Sequence, residues 1–227
     1  MKKHSSFVTG LYEAFEVVAD KTIAAGAKAY MRNQFEFIGL KSADRRKIFK
    51  QYLKENFPEQ NEFEQLIWEM WQLPERDFQY CAIDLFLATK KYWQPETIDL
   101  IEKIAIHKSW WDTIDFIASY LAGNYFLLFP ENKIKITNRW NKSDNFWLQR
   151  ISILFQLKYK TKTDTALLTK YILNCANEKE FFLRKAIGWA LREYSKTDEA
   201  FVLHFVEEHT LSFLSKKEAL KVIERKR

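Results

Sequence analysis

Apolar positions recur three and four residues apart along nearly the whole chain, as in Leu66, Ile67, Met70 and Trp71, or Ile151, Leu154 and Phe155. Alternation with period two is scarce, so the pattern predicts an all-α protein of about a dozen helices. Ser42, Asp164 and Asp198 suit N-caps, Pro74 and Pro95 suit a first helical position, and Ser215 with Glu218 has the spacing of a capping box. The longest run without a charged residue, 116–130, has 15 residues and contains Gly123. It is shorter than the roughly 18 residues that suggest a membrane span, and it reads as a buried segment.

A second, longer period lies over the helical one. The segments DFQYCAI (77–83), WLQRISI (147–153) and FLRKAI (182–187) superpose so that Tyr80, Arg150 and Arg184 share a column. Stepping by 35 residues from Tyr80 reaches Asp115 in one direction and Arg45 in the other. Such spacing is that of paired helices stacked as a solenoid, and Arg45, Tyr80, Asp115, Arg150 and Arg184 then lie along one face. Polar residues at equivalent repeat positions form either a solvated face or, where that face is concave, the lining of a groove. No Gly/Ser-rich linker or composition break divides the chain, so residues 1–227 read as a single domain.

Composition narrows the class. With 47% hydrophobic residues and only 5 Gly and 4 Pro, the chain is globular and poor in turns rather than disordered. The excess of 36 Lys and Arg over 30 Asp and Glu permits a polyanionic partner without requiring one. Aromatic residues make up 16% of the chain, including 8 Trp, which raises the question of whether all of them serve the core. The start MKKHSSF is not followed by an apolar signal region, and Cys81 and Cys175 are too few for a disulfide framework. Both cysteines read as small core residues, and the expected compartment is the reducing cytoplasm.

Phosphate-binding glycine loops, H-E-x-x-H and C-x-x-C are all missing, and His204 and His209 are spaced to diverge on a helix, so no metal or nucleotide cofactor is expected. Three clusters carry chemistry instead. In Ser109-Trp110-Trp111-Asp112-Thr113-Ile114-Asp115, Trp111 and Asp115 are four residues apart and share a helical face. Arg150 sits early in the helix opened by Ser143-Asp144-Asn145, at the repeat position after Asp115, where it can pair with a carboxylate or hold a phosphate. In FFLRKAIGWALREY (181–194), Gly188 interrupts a helical run beside Trp189. A glycine there costs about 1 kcal/mol relative to alanine, which implies close approach of a neighbouring helix or a ligand.

These clusters, with AYMRNQFEFIGLKSADRRK (29–47), WEMWQLPERDFQY (68–80), KSWWDTIDFIA (108–118), SDNFWLQRISILFQLKYK (143–160), EKEFFLRKAIGWALREYSKT (178–197) and LSKKEALKVI (214–223), resemble the AlkD family of bacterial DNA glycosylases. The resemblance runs in order along nearly the whole chain. It implies a HEAT-like α-α solenoid with a basic concave groove. It also implies removal of N3- and N7-alkylated purines from duplex DNA by a monomer, without cofactor and without a base-flipping pocket. The family's catalytic Asp corresponds to Asp115, its sugar-contacting Trp residues to Trp111 and Trp189, and its phosphate-holding Arg to Arg150. Backbone contacts fall near Lys41 and Arg45, and Arg184 joins them through the repeat column. Some relatives lack these catalytic side chains; here all four are present. The competing reading is a non-catalytic helical-repeat module that binds DNA or an acidic protein, which leaves the single carboxylate between Arg45 and Arg150 in the column without a role.

Overall fold

A computed structural model describes residues 4–225, and among them the only extended pairing is an isolated bridge between Glu36 and Glu75. The all-helical expectation holds. By internal contacts the chain divides into two compact units, Met1–Gln94 and Pro95–Arg227. The first contains α1 (Ser6–Glu16), α2 (Lys21–Tyr30), α3 (Ser42–Glu55), α4 (Phe63–Gln72) and α5 (Arg76–Ala88). There α1 packs on α3 and α4, and α4 on α5. The stripe Leu66, Ile67, Met70 and Trp71 is buried together with Phe15 and Phe78.

The second unit contains α6 (Thr97–Ile106), α7 (Trp111–Phe116), α8 (Gly123–Leu128), α9 (Pro130–Asn141), α10 (Phe146–Leu154), α11 (Thr165–Cys175), α12 (Phe181–Tyr194), α13 (Glu199–Glu208) and α14 (Phe213–Glu224). Helix α10 is the hub, touching α6, α7, α9, α11 and α12. Its apolar residues Ile151, Leu154 and the following Phe155 are fully buried. The long repeat is visible in polar contacts. The Thr137 hydroxyl meets that of Tyr171, 34 positions on, at 2.6 Å, and the Tyr159 hydroxyl donates to the Gly123 carbonyl, 36 positions back, at 2.6 Å.

Helix starts follow local chemistry more loosely than the sequence suggests. Asp164 and Asp198 cap α11 and α13 by accepting from Leu167 N and Phe201 N. Ser42 is instead the first residue of α3, whose N-cap Lys41 makes no side-chain bond. Pro74 and Pro95 lie outside α5 and α6, which begin after Glu75 and Glu96; the proline at a first helical position is Pro130. Ser212, not Ser215, caps α14 by accepting from Ser215 N at 3.1 Å. The shifts run from one to three residues, because several nearby polar side chains can serve a helix start and packing selects among them.

The charge-free run is less buried than expected. Helices α7 and α8 join without a break through a wider π turn, Ile117–Ala122, closed by a bond from Gly123 N to Ala118 O. Leu121 and Phe126 are buried, but Phe116, Tyr120, Leu127 and Leu128 are exposed. Lack of charge therefore did not mean burial on every side of this helix.

Gly188 answers to a neighbouring helix. A Cβ there would stand 2.5 Å from Glu218 Cβ and 2.7 Å from the Ser215 carbonyl, so α14 packs directly on the α12 backbone. Gly26, in the interior of α2, has nothing within 4 Å of the same position. The two glycines should respond oppositely to alanine. Gly188→Ala is expected to destabilise by about 1–3 kcal/mol despite its better helix propensity, because the clash is with backbone. Gly26→Ala should gain up to about 1 kcal/mol. Thermal melts of the two variants check both signs.

Candidate active site

The polypeptide enters α7 through an unusual turn. Lys108 has φ 50°, and Trp110, the N-cap residue, is extended. That conformation swings the Trp110 ring against Phe182 at 5.4 Å and Trp147 at 6.1 Å between ring centres. Because Trp110 lies outside the helix, the divergence of neighbouring helical side chains does not govern the Trp pair. Trp111 is the first helical residue, half-buried, and one turn ahead of Asp115.

Asp115 meets Arg150 in a bidentate pair. Arg150 Nε donates to Asp115 Oδ1 at 2.8 Å and Nη2 to Oδ2 at 3.0 Å, while Nη1 donates to the Phe182 carbonyl. The guanidinium thus ties α7 to the first turn of α12. Its side chain is 5% exposed, whereas the Asp115 side chain keeps 17% of its surface open. Three of the five guanidinium N–H groups are engaged this way, which leaves two for another acceptor. Burial pushes the Asp115 carboxyl above its ordinary range; Arg150 opposes that rise without cancelling it, and Asp112 adds to it. The carboxyl group accordingly sits in poorly solvated surroundings with part of its surface open.

Asp115 is also braced from its own helix. The Ser119 hydroxyl, inside the π turn, donates to the Asp115 carbonyl at 2.6 Å. π turns gather at functional sites because they re-aim side chains. Nothing in the residue pattern marks this one, nor the role of the Phe182 carbonyl, since a backbone acceptor leaves no trace in side-chain chemistry.

The other candidate residues fall in several environments. Trp189 is half-buried, and since Gly188 faces α14, Trp189 points about 100° around α12 from that contact. Arg184 is partly exposed and its Nε donates to the Glu178 carbonyl at 2.9 Å. In the first unit Lys41 is exposed. Arg45 is only 7% exposed, with its guanidinium 4.5 Å from the Tyr80 ring centre and Nη1 3.8 Å from Asp84. Column neighbours 35 residues apart therefore touch in each unit, Arg45 with Tyr80 and Asp115 with Arg150. Among the described residues, no three His, Cys, Asp or Glu side chains are grouped to hold a metal ion, and no helix is long and apolar enough to cross a membrane.

Comparison with known proteins identifies the family. No curated protein sequence matched. A solved structure described as a "Predicted DNA alkylation repair enzyme from Enterococcus faecalis" superposes with a TM-score of 0.84 at 34% identity, covering 89% of this chain and 95% of that one. The family model for DNA alkylation repair enzymes matches residues 11–223. On an extent that takes in every residue of the site, the chain belongs to the DNA alkylation repair enzyme family.

Proposed function

We propose that the protein is a monofunctional DNA glycosylase that excises N3- and N7-alkylated purines from duplex DNA and leaves an abasic site. The observation that carries the reading is the single carboxylate, Asp115, aimed by a bidentate guanidinium and still partly open. Alkylation at these positions makes the purine cationic. When the C1′–N9 bond breaks, its electron pair neutralises the departing base, so no acid is needed to protonate the leaving group. The deoxyribose left behind carries oxocarbenium character at C1′. A preorganised negative charge in low dielectric stabilises that cation more than water does.

Asp115 supplies this charge and accepts the proton as water adds to C1′. The half-buried faces of Trp111 and Trp189 cradle the cationic sugar. Arg150 holds the carboxylate in register and offers its two remaining N–H groups to the adjacent phosphate. Lys41, Arg45 and Arg184 take backbone phosphates of the duplex, which gives binding its dependence on salt. The scheme uses no cofactor and no covalent enzyme intermediate, and the contacts are to the lesion's backbone rather than to a flipped base in a pocket. The enzyme works as a cytoplasmic monomer. Release of free methylated purine from alkylated duplex, with and without Asp115, tests the reading directly; retention of full activity without Asp115 would remove it.

Asp115→Asn keeps size and most hydrogen bonding but deletes the charge. Excision should fall about 10²- to 10³-fold, on the order of 3–4 kcal/mol of barrier, with DNA binding retained. The loss should be larger for N7-methylguanine than for the more labile N3-methyladenine, which single-turnover excision of both lesions resolves. An equal loss on both, with a lowered melting temperature, would point to a structural bridge instead.

The chemistry needs Asp115 ionised, and burial lifts its pKa. Excision should therefore decline as pH falls through a value above the usual carboxylate range near about 4. Rate profiles corrected for spontaneous depurination should show this acid limb in the wild type and not in Asp115→Asn.

Trp111→Ala and Trp189→Ala should each slow excision with little change in melting temperature, since both rings are half-buried. Trp140, fully buried beside Phe126, sets the contrast. Its truncation should cost about 3–5 kcal/mol. A comparable loss of stability for Trp111 and Trp189 would return them to the core.

A further inference from the structure

The exposed edge of the charge-free helix follows directly on the carboxylate. Phe116, the residue after Asp115, is 45% exposed and Tyr120 is 38% exposed. Their rings stack on each other at 5.5 Å between centres, 23° from parallel. Phe116 and Tyr120 are four residues apart and so lie on one face of the continuous helix. From α10's C-terminal side, exposed Lys158 brings Nζ to 5.6 Å from the Tyr120 ring centre. The Tyr120 backbone is pinned by Asn124 Nδ2, which donates to its carbonyl at 2.6 Å. A solvated helix edge ordinarily carries charge, whereas this one presents two stacked aromatic faces and an ammonium, and no core contact accounts for the exposed ring surface.

Scattered surface aromatics need no explanation, but a preformed stack beside a cation is the pairing that binds a planar ring attached to a phosphate. We propose that Phe116, Tyr120 and Lys158 form a platform for an unpaired nucleobase of bound DNA, with the rings stacking on the base and the ammonium meeting that nucleotide's phosphate. Charge complementarity favours DNA over a protein partner, since the chain carries a net +6 and the platform itself holds only a positive group. The inference rests on the DNA-repair reading in needing DNA bound near Asp115. It does not need excision. It adds base contact to a site otherwise read as gripping the backbone.

The test uses lesion-free DNA, so that it stands apart from catalysis. Binding of the full chain to a duplex with a single bulged thymine is compared with binding to the same duplex fully paired. The wild type should prefer the bulge. The double variant Phe116→Ala/Tyr120→Ala should lose roughly tenfold in affinity for the bulged duplex while holding the paired one unchanged. Phe116→Leu/Tyr120→Leu, which keeps apolar bulk without a π face, should behave alike and guards against a folding defect. 5-Iodouracil in the bulge should photocrosslink to Phe116 or Tyr120. Equal affinities of variant and wild type for the bulge, equal losses on both duplexes, or crosslinks confined to other residues would overturn the platform. A wild-type dimer in sedimentation that the ring variants dissolve would also overturn it, by assigning the rings to a second copy. If the bulge preference depends on the rings and no purine is released from alkylated DNA, the platform stands and the glycosylase reading falls.

Discussion

Arg150 reaches in two directions at once, into both oxygens of Asp115 and onto the carbonyl of Phe182, and so joins α7, α10 and α12 at one buried point. Stability alone does not explain such a contact. Replacing a buried ion pair with well-packed apolar residues is often neutral or favourable, whereas removing one partner leaves an uncompensated charge and costs about 3–5 kcal/mol. The pair instead fixes geometry. A planar guanidinium meeting a planar carboxylate along two parallel bonds allows one arrangement, so the direction of the Asp115 oxygens is set by α10 rather than by the short helix that carries them. Helix α7 has only 6 residues before the π turn begins and needs this external anchor.

The opposite side of α12 is fixed by different means. Gly188 lets the α14 backbone approach, the Ser215 hydroxyl donates to the Arg184 carbonyl at 2.9 Å, and Glu218 binds both Lys185 and Arg192. Trp189 follows Gly188 directly, so its direction around the helix depends on how α14 docks. The residue that the sequence marks as costly for helix formation is thus what allows the packing that orients the indole. A link of this kind runs from a missing methyl group to the placement of a ring.

Much of this was legible beforehand, and what was not has physical causes. The repeat column predicts equivalent positions along one face, and Arg45, Tyr80, Asp115, Arg150 and Arg184 all occupy the fourth or fifth position of their helices. Periodicity fixes such positions because each repeat must present the same face to its neighbour. Periodicity does not fix burial: Arg45 lies across Tyr80 with Nη1 lacking a hydrogen-bond acceptor, although nothing in its sequence context separates it from the exposed Arg46. The aromatic packing of Trp110 was equally hidden, since it follows from an extended N-cap and a left-handed Lys108 that residue pattern does not specify. Helix starts were misplaced only where Ser or Pro stood within three residues of another residue able to open the helix.

The raised pKa of Asp115 bears on why the site is built this way. A carboxylate titrating higher in the folded state than in the unfolded chain binds protons more readily when folded. Its ionised form therefore opposes folding at neutral pH, and that cost is relieved as pH falls through the folded-state value. Full compensation was chemically available, through more hydrogen-bond donors to the carboxylate or greater exposure to water. Either would weaken the field that Asp115 projects, and the proposed mechanism depends on that field, because a well-solvated charge is screened from a cation beside it. Arg150 occupies the middle ground, engaging both oxygens from behind while leaving part of the carboxylate open. On the proposed mechanism, stability is given up locally where a poorly solvated negative charge is most useful, and the packed helices around Asp115 keep that charge in place.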